Sequence, residues 1–316
     1  MSKDNLSNLK NEGVENVTAS IASLNTQDTF VNEFREELKK AGVFCEERHD
    51  EHVLKRFGKA RKFKMADAVF MMTESEKWRK EFGVENVLKE FAFKELAEVQ
   101  KIYPRFHHKT DKLGRPIYIE KLSKLDLKKI MAVTTSERML KHHVREYEKF
   151  LNYKMAACGK KINGHIGQGF TVLDLAGVPM SQFPSVKSIV NDMSKISQDN
   201  YPETMGILFI INAPFLFTSI WYVIKGWLDE QTVKKIHLLG SSYKDKLLEL
   251  VDPENLPEAY GGKCKCEGKG GCELSDIGPW NDGTVEGYPK LEWEYGATRD
   301  NATFVPDAVK ALLSKN

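Results

Sequence analysis

From Thr204 to Ile224 the chain runs 21 residues without a charge, between Glu203 and Lys225. A bilayer span needs about 20 apolar residues, so any fold must bury this stretch in protein or lay it against lipid. Pro214 interrupts it near the middle. Proline has no N–H to donate and drives the residue before it towards an extended shape. Asn212-Ala213-Pro214 therefore divides the run in two. Ile207–Ile211 has the length and composition of a buried strand. Thr218–Leu228 reads as a helix, with Ile220, Trp221, Val223, Ile224, Trp227 and Leu228 at i, i+1, i+3, i+4, i+7 and i+8. Tyr222 fills much of the remaining face, leaving the helix apolar almost all round, the pattern of one covered by protein or lipid.

The rest of the chain has the composition of a water-soluble protein. Its 316 residues hold 41% hydrophobic side chains at a mean hydropathy of −0.44. Lys and Arg number 47 against 45 Asp and Glu. A net charge so small gives no whole-molecule field to hold nucleic acid, and any electrostatic partner must meet a local patch. The polar start Met1-Ser-Lys-Asp has no apolar signal core, no Gly follows Met1, and the end carries no prenylation motif. The five cysteines, an odd number, fit reduced thiols. The expectation is a cytoplasmic protein whose membrane contact is peripheral and reversible.

Residues 1–28, rich in Asn, Ser and Thr, are expected to form a mobile tail. Phe30, Phe34 and Leu38 lie at i, i+4 and i+8 and predict an amphipathic helix ended by Gly42. Helical patterns continue over 51–61, 66–82 and 84–88, with no strand signal before Tyr103, so 29–98 reads as a helical module. Short β-prone runs then appear at 116–120, 170–175, 207–211 and 236–239, separated by helical segments at 136–157, 184–196 and 218–228. Alternation of this kind predicts an α/β domain with a mainly parallel sheet over 99–262. A Gly/Lys/Cys loop and an irregular tail follow over 263–316.

Catalytic and metal signatures are missing. No strand leads into a Gly-x-Gly-x-x-Gly turn or a Walker lysine, and no Gly-x-Ser-x-Gly elbow occurs. Cys264-x-Cys266 with Cys272 falls short of a structural zinc site, which needs four ligands and favours Cys-x₂₋₄-Cys pairs. His107-His108 and His142-His143 are neighbours whose side chains diverge. No enzyme activity, metal or cofactor is expected. Lys55, Arg56, Lys59, Arg61, Lys62 and Lys64 form a basic cluster, in which Lys55, Lys59 and Lys62 fall at helical spacing. A stripe of that kind is either a solvated face or a site for phosphates. Together with the uncharged run it suggests an amphiphile with an anionic head.

Several segments taken in order resemble the CRAL-TRIO lipid-binding family, most of all its fungal-type phosphatidylinositol/phosphatidylcholine transfer proteins. They include Arg56-Phe-Gly-Lys-Ala-Arg-Lys-Phe63, His108-Lys-Thr-Asp-Lys-Leu-Gly-Arg-Pro-Ile-Tyr118, Thr171-Val-Leu-Asp-Leu175, Tyr201-Pro-Glu203, Ile210-Ile-Asn-Ala-Pro-Phe215 and Leu274-Ser-Asp-Ile-Gly-Pro-Trp280. The resemblance runs from about Thr29 to Trp280. It implies a helical N-terminal module and a hydrophobic pocket floored by the sheet, with Thr218–Leu228 as a mobile gate helix.

Site residues follow from the resemblance position by position. Arg61 and Lys62 match the basic pair of the phosphatidylinositol site, Glu203 and Lys235 its acidic and basic partners, and Thr232 a hydroxyl contact. This set is complete. For a second, phosphatidylcholine-like ligand Tyr118 and Thr171 match, but Gly169 stands where a serine is expected and His107 where a tyrosine is expected. Gly58 replaces a leucine in the helical module, at a cost of about 1 kcal/mol to a helix. Gly226 replaces a proline in the gate.

The function implied is exchange of phospholipid monomers between membranes by a monomeric carrier. Such a carrier presents phosphatidylinositol to a lipid kinase and supports phosphoinositide signalling and vesicle traffic at Golgi or endosomal membranes. The altered His107 and Gly169 positions keep an alternative open, a carrier or sensor of a sterol, retinoid, tocopherol or haem.

Overall fold

A computed structural model describes residues 27–290, apart from 124, 179, 180, 182 and 289. Most of the expected N-terminal tail and the segment after 290 lie outside the described residues. The chain divides into two compact units between Trp78 and Arg79.

The first unit contains helix α1 (27–40), α2 (Glu51–Ala60) and most of α3 (Met65–Phe82). Asp50 starts α2 by accepting the Val53 N–H at 2.8 Å, a side-chain cap of the kind helix starts favour. The predicted spacing of α1 is realised: Phe30, Phe34 and Leu38 are buried with Val31, Leu54, Phe57, Ala68, Met71 and Met72. The basic stripe is only partly helical, because α2 ends at Ala60. Lys62 and Phe63 then take left-handed φ angles of 53° and 57°, so Lys62 leaves the line of Lys55 and Lys59. Lys55 is engaged by Asp28 and Glu51.

The second unit opens with α4 (Val84–Glu90) and α5 (Leu96–Ile102), followed by strands β1 (Arg105–Thr110) and β2 (Pro116–Lys121). Then come α6 (Leu127–Val133), α7 (Ser136–Lys149) and α8 (Ala156–Lys161), the last two joined by a π-helical turn over Phe150–Met155. β3 (Gly169–Asp174), α9 (Phe183–Asn200), β4 (Met205–Ile211), α10 (Phe217–Lys225), α11 (Glu230–Lys234) and β5 (Ile236–Leu238) follow, then α12 (Lys244–Leu250) and α13 (Cys272–Ser275). The strands lie side by side in chain order. β1 and β2 are antiparallel and the remaining pairs parallel, as strands joined through helices require.

The two faces of this sheet differ. Side chains alternate along a strand, and Ile117, Ile119, Phe170, Val172, Phe209 and Ile211 point into a closed core with Tyr243, Leu247 and Val251 of the α12 region. The opposite face carries two cross-strand rows. One is His107, Tyr118, Thr171, Leu208 and Ile236; the other is Glu120, Leu173, Ile210 and Leu238. Tyr118, Thr171, Leu173, Leu208 and Ile236 remain half-buried. α9 is amphipathic, yet none of its described residues is fully buried. The apolar side chains of this sheet face are thus covered only in part, unlike those of the closed core on the other side.

The helix expected over 218–228 departs from prediction at its end. β4 stops at Ile211, Asn212 turns the chain at φ 52°, and its side-chain amide donates to Asp174 Oδ1 at 2.8 Å. α10 ends at Lys225, so Trp227 and Leu228 lie beyond the helix. Gly226 has φ −68°, an angle proline would also hold. Phe217, Ile220, Trp221 and Ile224 form the inner face, packed with Leu173, Leu208, Ile210 and Ile236. Tyr222 and Val223 face outward, and Phe215 and Leu216 project just before the helix.

Candidate functional site

Glu203 and Lys235 are brought together. Lys235 Nζ lies 3.0 Å from Glu203 Oε2, with both side chains largely shielded from solvent. The turn that carries Glu203 is tied down on one side by Tyr201, whose hydroxyl donates to Glu148 Oε1 at 2.8 Å. Glu148 also takes Arg79 Nη1 at 2.6 Å and Asn152 Nδ2 at 3.1 Å. Tyr147 stacks on Tyr201 with ring centroids 4.6 Å apart. Burial raises the Tyr201 phenol well above its usual pKa, so it remains a donor. Beyond this anchor, Glu203 takes φ 59°, and its carbonyl accepts from Gln168 Nε2 at 3.3 Å.

Lys235 follows α11, whose first turn is capped by Asp229, accepting the Thr232 N–H at 2.9 Å. The Thr232 hydroxyl donates to the same carboxylate. Asp229 is held in turn by its own N–H to Gln198 Oε1 at 3.2 Å, and Gln198 Nε2 donates to the Trp227 carbonyl at 3.1 Å. Thus α9, the turn after α10 and the α11 turn are connected through one glutamine. Arg61 and Lys62 belong to the first unit, in the tight link after α2, where Arg61 Nη1 donates to the Ala60 carbonyl at 3.1 Å.

The second set forms one patch. His107, Tyr118 and Thr171 are successive partners across three strands, and Gly169 precedes Thr171 on the same face. The His107 and Tyr118 rings lie 5.0 Å apart. His107 Nδ1 meets Lys154 Nζ at 3.0 Å, and Lys154 is also paired with Asp276 at 2.7 Å. Trp280 closes this corner, its indole N–H donating to the Asp276 carbonyl at 2.7 Å. A Cβ at position 169 would lie 2.5 Å from Phe150 Cζ. The π-helical turn supplies both Phe150 and Lys154. Ring and ammonium therefore occupy the neighbourhood of the two positions where the sequence departs from the phosphatidylcholine pattern.

Other chemistry-bearing residues were missed in the sequence. Glu120, one row from Thr171, has its carboxyl pKa raised to about 7 by burial. Its only signal was a lone acid in an apolar strand. Among the paired histidines, His142 stacks on Phe93 at 4.3 Å and His143 meets Ser197 Oγ at 3.3 Å. His108 is fully buried, and burial lowers its pKa to about 3, leaving a neutral ring. No helix among the described residues is long and apolar enough to cross a membrane.

Comparison with known proteins agrees with this architecture. Residues 100–262 match the CRAL/TRIO domain. The chain is 48% identical over 257 residues to the Sec14 cytosolic factor of Schizosaccharomyces pombe, covering 81% of this chain and 88% of that one. It is 44% identical to the SEC14 cytosolic factor of Kluyveromyces lactis over 81% of this chain and 85% of the other. It is 45% identical to the phosphatidylinositol/phosphatidylcholine transfer protein SFH12 of Arabidopsis thaliana over 80% of this chain, spanning only 47% of that longer protein. The crystal structure of Sfh5 shares the fold at a TM-score of 0.60 and 18% identity, covering 92% of this chain and 96% of that chain. The chain belongs to the CRAL/TRIO domain family, in the company of the Sec14 cytosolic factors.

Proposed function

We propose that this protein is a phosphatidylinositol transfer protein that carries single phospholipid molecules between membranes. The observation that carries the reading is the shielded Glu203–Lys235 pair in the unit whose sheet leaves a half-covered apolar face. Inositol offers a ring of hydroxyls and a phosphate, so a carboxylate, an ammonium and the Thr232 hydroxyl suit its head group. The resemblance alone assigns Arg61 and Lys62, in the first unit, to phosphatidylinositol as well. Burying acyl chains recovers ~0.8 kcal/mol per CH₂, so a phospholipid of roughly 30 methylenes resists escape into water by roughly 20 kcal/mol. A carrier needs only an apolar hollow and a cover to remove that barrier, and no bond need break. α10 is the cover. In this reading the protein works as a cytoplasmic monomer that touches Golgi or endosomal membranes transiently and presents phosphatidylinositol to a lipid kinase.

The second-ligand patch departs at two positions from the phosphatidylcholine set that the resemblance implies. Tyr118 and Thr171 keep their hydroxyls, but His107 is committed to Lys154 and Phe150 fills the space above Gly169. That crowding favours weak choline-lipid transfer and keeps a sterol, retinoid, tocopherol or haem as the alternative occupant. The test is transfer of labelled lipid between vesicles, together with mass spectrometry and an absorption spectrum of the purified protein's ligand. Lys235→Ala takes the ammonium from a shielded carboxylate, a loss of about 1.5–3 kcal/mol, so phosphatidylinositol transfer is expected to fall roughly tenfold or more. Unchanged transfer by Lys235→Ala and Arg61→Ala would sink the head-group assignment. A visible absorption band with no phosphatidylinositol bound would favour the alternative.

A further inference from the structure

We propose that His108, Cys264, Cys266 and Cys272 form a zinc site. One ligand atom from each of the four lies within 4.8 Å of the others. Cys264 Sγ and Cys266 Sγ are 3.6 Å apart, and tetrahedral zinc with bonds of about 2.3 Å holds its sulfurs roughly 3.8 Å apart. All three thiols are free. The sequence offered only three ligands, spaced unlike common zinc motifs, and β1 supplies the fourth.

His108 makes the case stronger than a cluster of cysteines would. Its side chain is fully buried, and neither ring nitrogen has a hydrogen-bond partner. Leaving buried polar groups unpaired costs about 1–3 kcal/mol each, so native structures rarely tolerate it without a ligand or water. Alternation along β1 explains why its neighbour His107 has a different role. His107 faces Tyr118 and Lys154, and His108 points through the other face to the thiols. Neutral imidazole and thiolate are the ligands zinc prefers, and three thiolates with one imidazole complete a closed, structural set.

The backbone around the thiols is shaped to hold them. Cys264 is bridged to Pro257, its N–H donates to the Leu256 carbonyl at 3.1 Å and its carbonyl accepts the Glu258 N–H at 3.0 Å. Cys266 takes φ 49°, and Gly268, Gly270 and Gly271 also have positive φ, at 75°, 70° and 87°. These turns return the chain so that Cys272, at the start of α13, meets the first two cysteines. The Cys272 thiol donates to the Cys264 carbonyl at 3.3 Å. On the far side of α13, Lys109 N–H donates to the Ile277 carbonyl at 2.7 Å. Zinc would pin this loop to β1.

The test uses the full chain purified without a histidine tag and dialysed against metal-free buffer. Wild type and Cys45→Ser, whose thiol lies outside the cluster, are expected to retain one zinc per chain by elemental mass spectrometry. Cys264→Ser and Cys266→Ser, at half-buried positions, are expected to lose metal affinity roughly tenfold or more, since even ligand-supporting neighbours contribute that much. Cobalt replacing zinc in wild type should give the strong visible and thiolate charge-transfer absorption of a tetrahedral sulfur-rich site. That spectrum needs no variant to fold. Zinc removed by dialysis from wild type as easily as from Cys266→Ser would overturn the proposal. So would cobalt spectra without thiolate bands, or cysteines isolated as a disulfide with no metal.

Discussion

At the scale of single residues, the departures from expected side chains are packing statements. Gly58 sits inside α2, where glycine is worth about 1 kcal/mol less than alanine. A Cβ there would lie 2.5 Å from Phe30 Cε1 and 3.1 Å from Phe63 Cδ1, and those two rings meet edge to face at 5.2 Å. The glycine is the floor on which Phe30 lies. Gly58→Ala should therefore destabilise the protein by about 1–3 kcal/mol, the usual result of overpacking, although helix propensity alone predicts the opposite sign. Urea denaturation of this variant decides between the two, and adding Phe30→Leu to Gly58→Ala should recover part of the loss. The sequence shows the cost of Gly58 plainly but hides its compensation, because Phe30 is distant along the chain. Gly169 and Phe150 repeat the lesson: the missing serine was visible, while the ring that takes its place was not.

At the scale of elements, what could be read followed the strength of local patterns. β2 to β5 are apolar and bounded by turn residues, and their parallel order came from the helices between them. β1 was overlooked because Arg105-Phe-His-His-Lys-Thr110 is polar. It earns its place through pairing with β2 and through side chains that face named partners. The division at Asn212-Ala213-Pro214 was legible because proline acts locally. The end of α10 was misread because the apolar spacing runs on to Trp227 and Leu228, although Lys225-Gly226 carries a stop signal like that at Gly42. In the proposed function the exposed side of this region meets the membrane. Phe215 is 91% exposed and Tyr222 82% exposed, although both are large and apolar or amphipathic. Burying such a side chain in lipid stabilises docking by about 1.5–3 kcal/mol. Phe215→Asp and Tyr222→Asp are each expected to weaken vesicle association roughly tenfold or more, measured by co-sedimentation. Their folding stability should stay within about 0.5 kcal/mol of wild type, as surface substitutions do. Equal sedimentation of all three proteins would remove this edge from the membrane contact.

At the scale of the whole molecule, stability should register with pH both the acid on the half-covered face of the sheet and the histidines buried on α7. Glu120 lies on the half-covered face, and burial raises its carboxyl from 4.5 to about 7. Below pH 4.5 it is protonated folded or unfolded and has no effect on the balance. Between those values the folded protein keeps a proton that the unfolded chain releases, so stability falls as pH rises. Above pH 7 the full penalty applies, about 1–3 kcal/mol for this half-buried group. The buried histidines act in the other direction. His142 and His143 are held below their usual 6.5 by burial, so they stay neutral in the fold and take up protons only on unfolding. Their contribution is present above pH 6.5 and is lost as pH falls through the range below it. Opposed slopes place the stability maximum near neutrality, and a wild-type profile alone cannot separate them. Glu120→Gln does so, because amide and protonated acid are alike while amide never ionises. In urea denaturation the variant should match wild type at pH 4, below the unfolded value of 4.5, and exceed it at pH 8 by about 1–3 kcal/mol. A constant difference between the two proteins across this range would mean that the carboxyl is solvated, and that the face of the sheet it shares with Leu173 and Ile210 is wetter than its packing indicates.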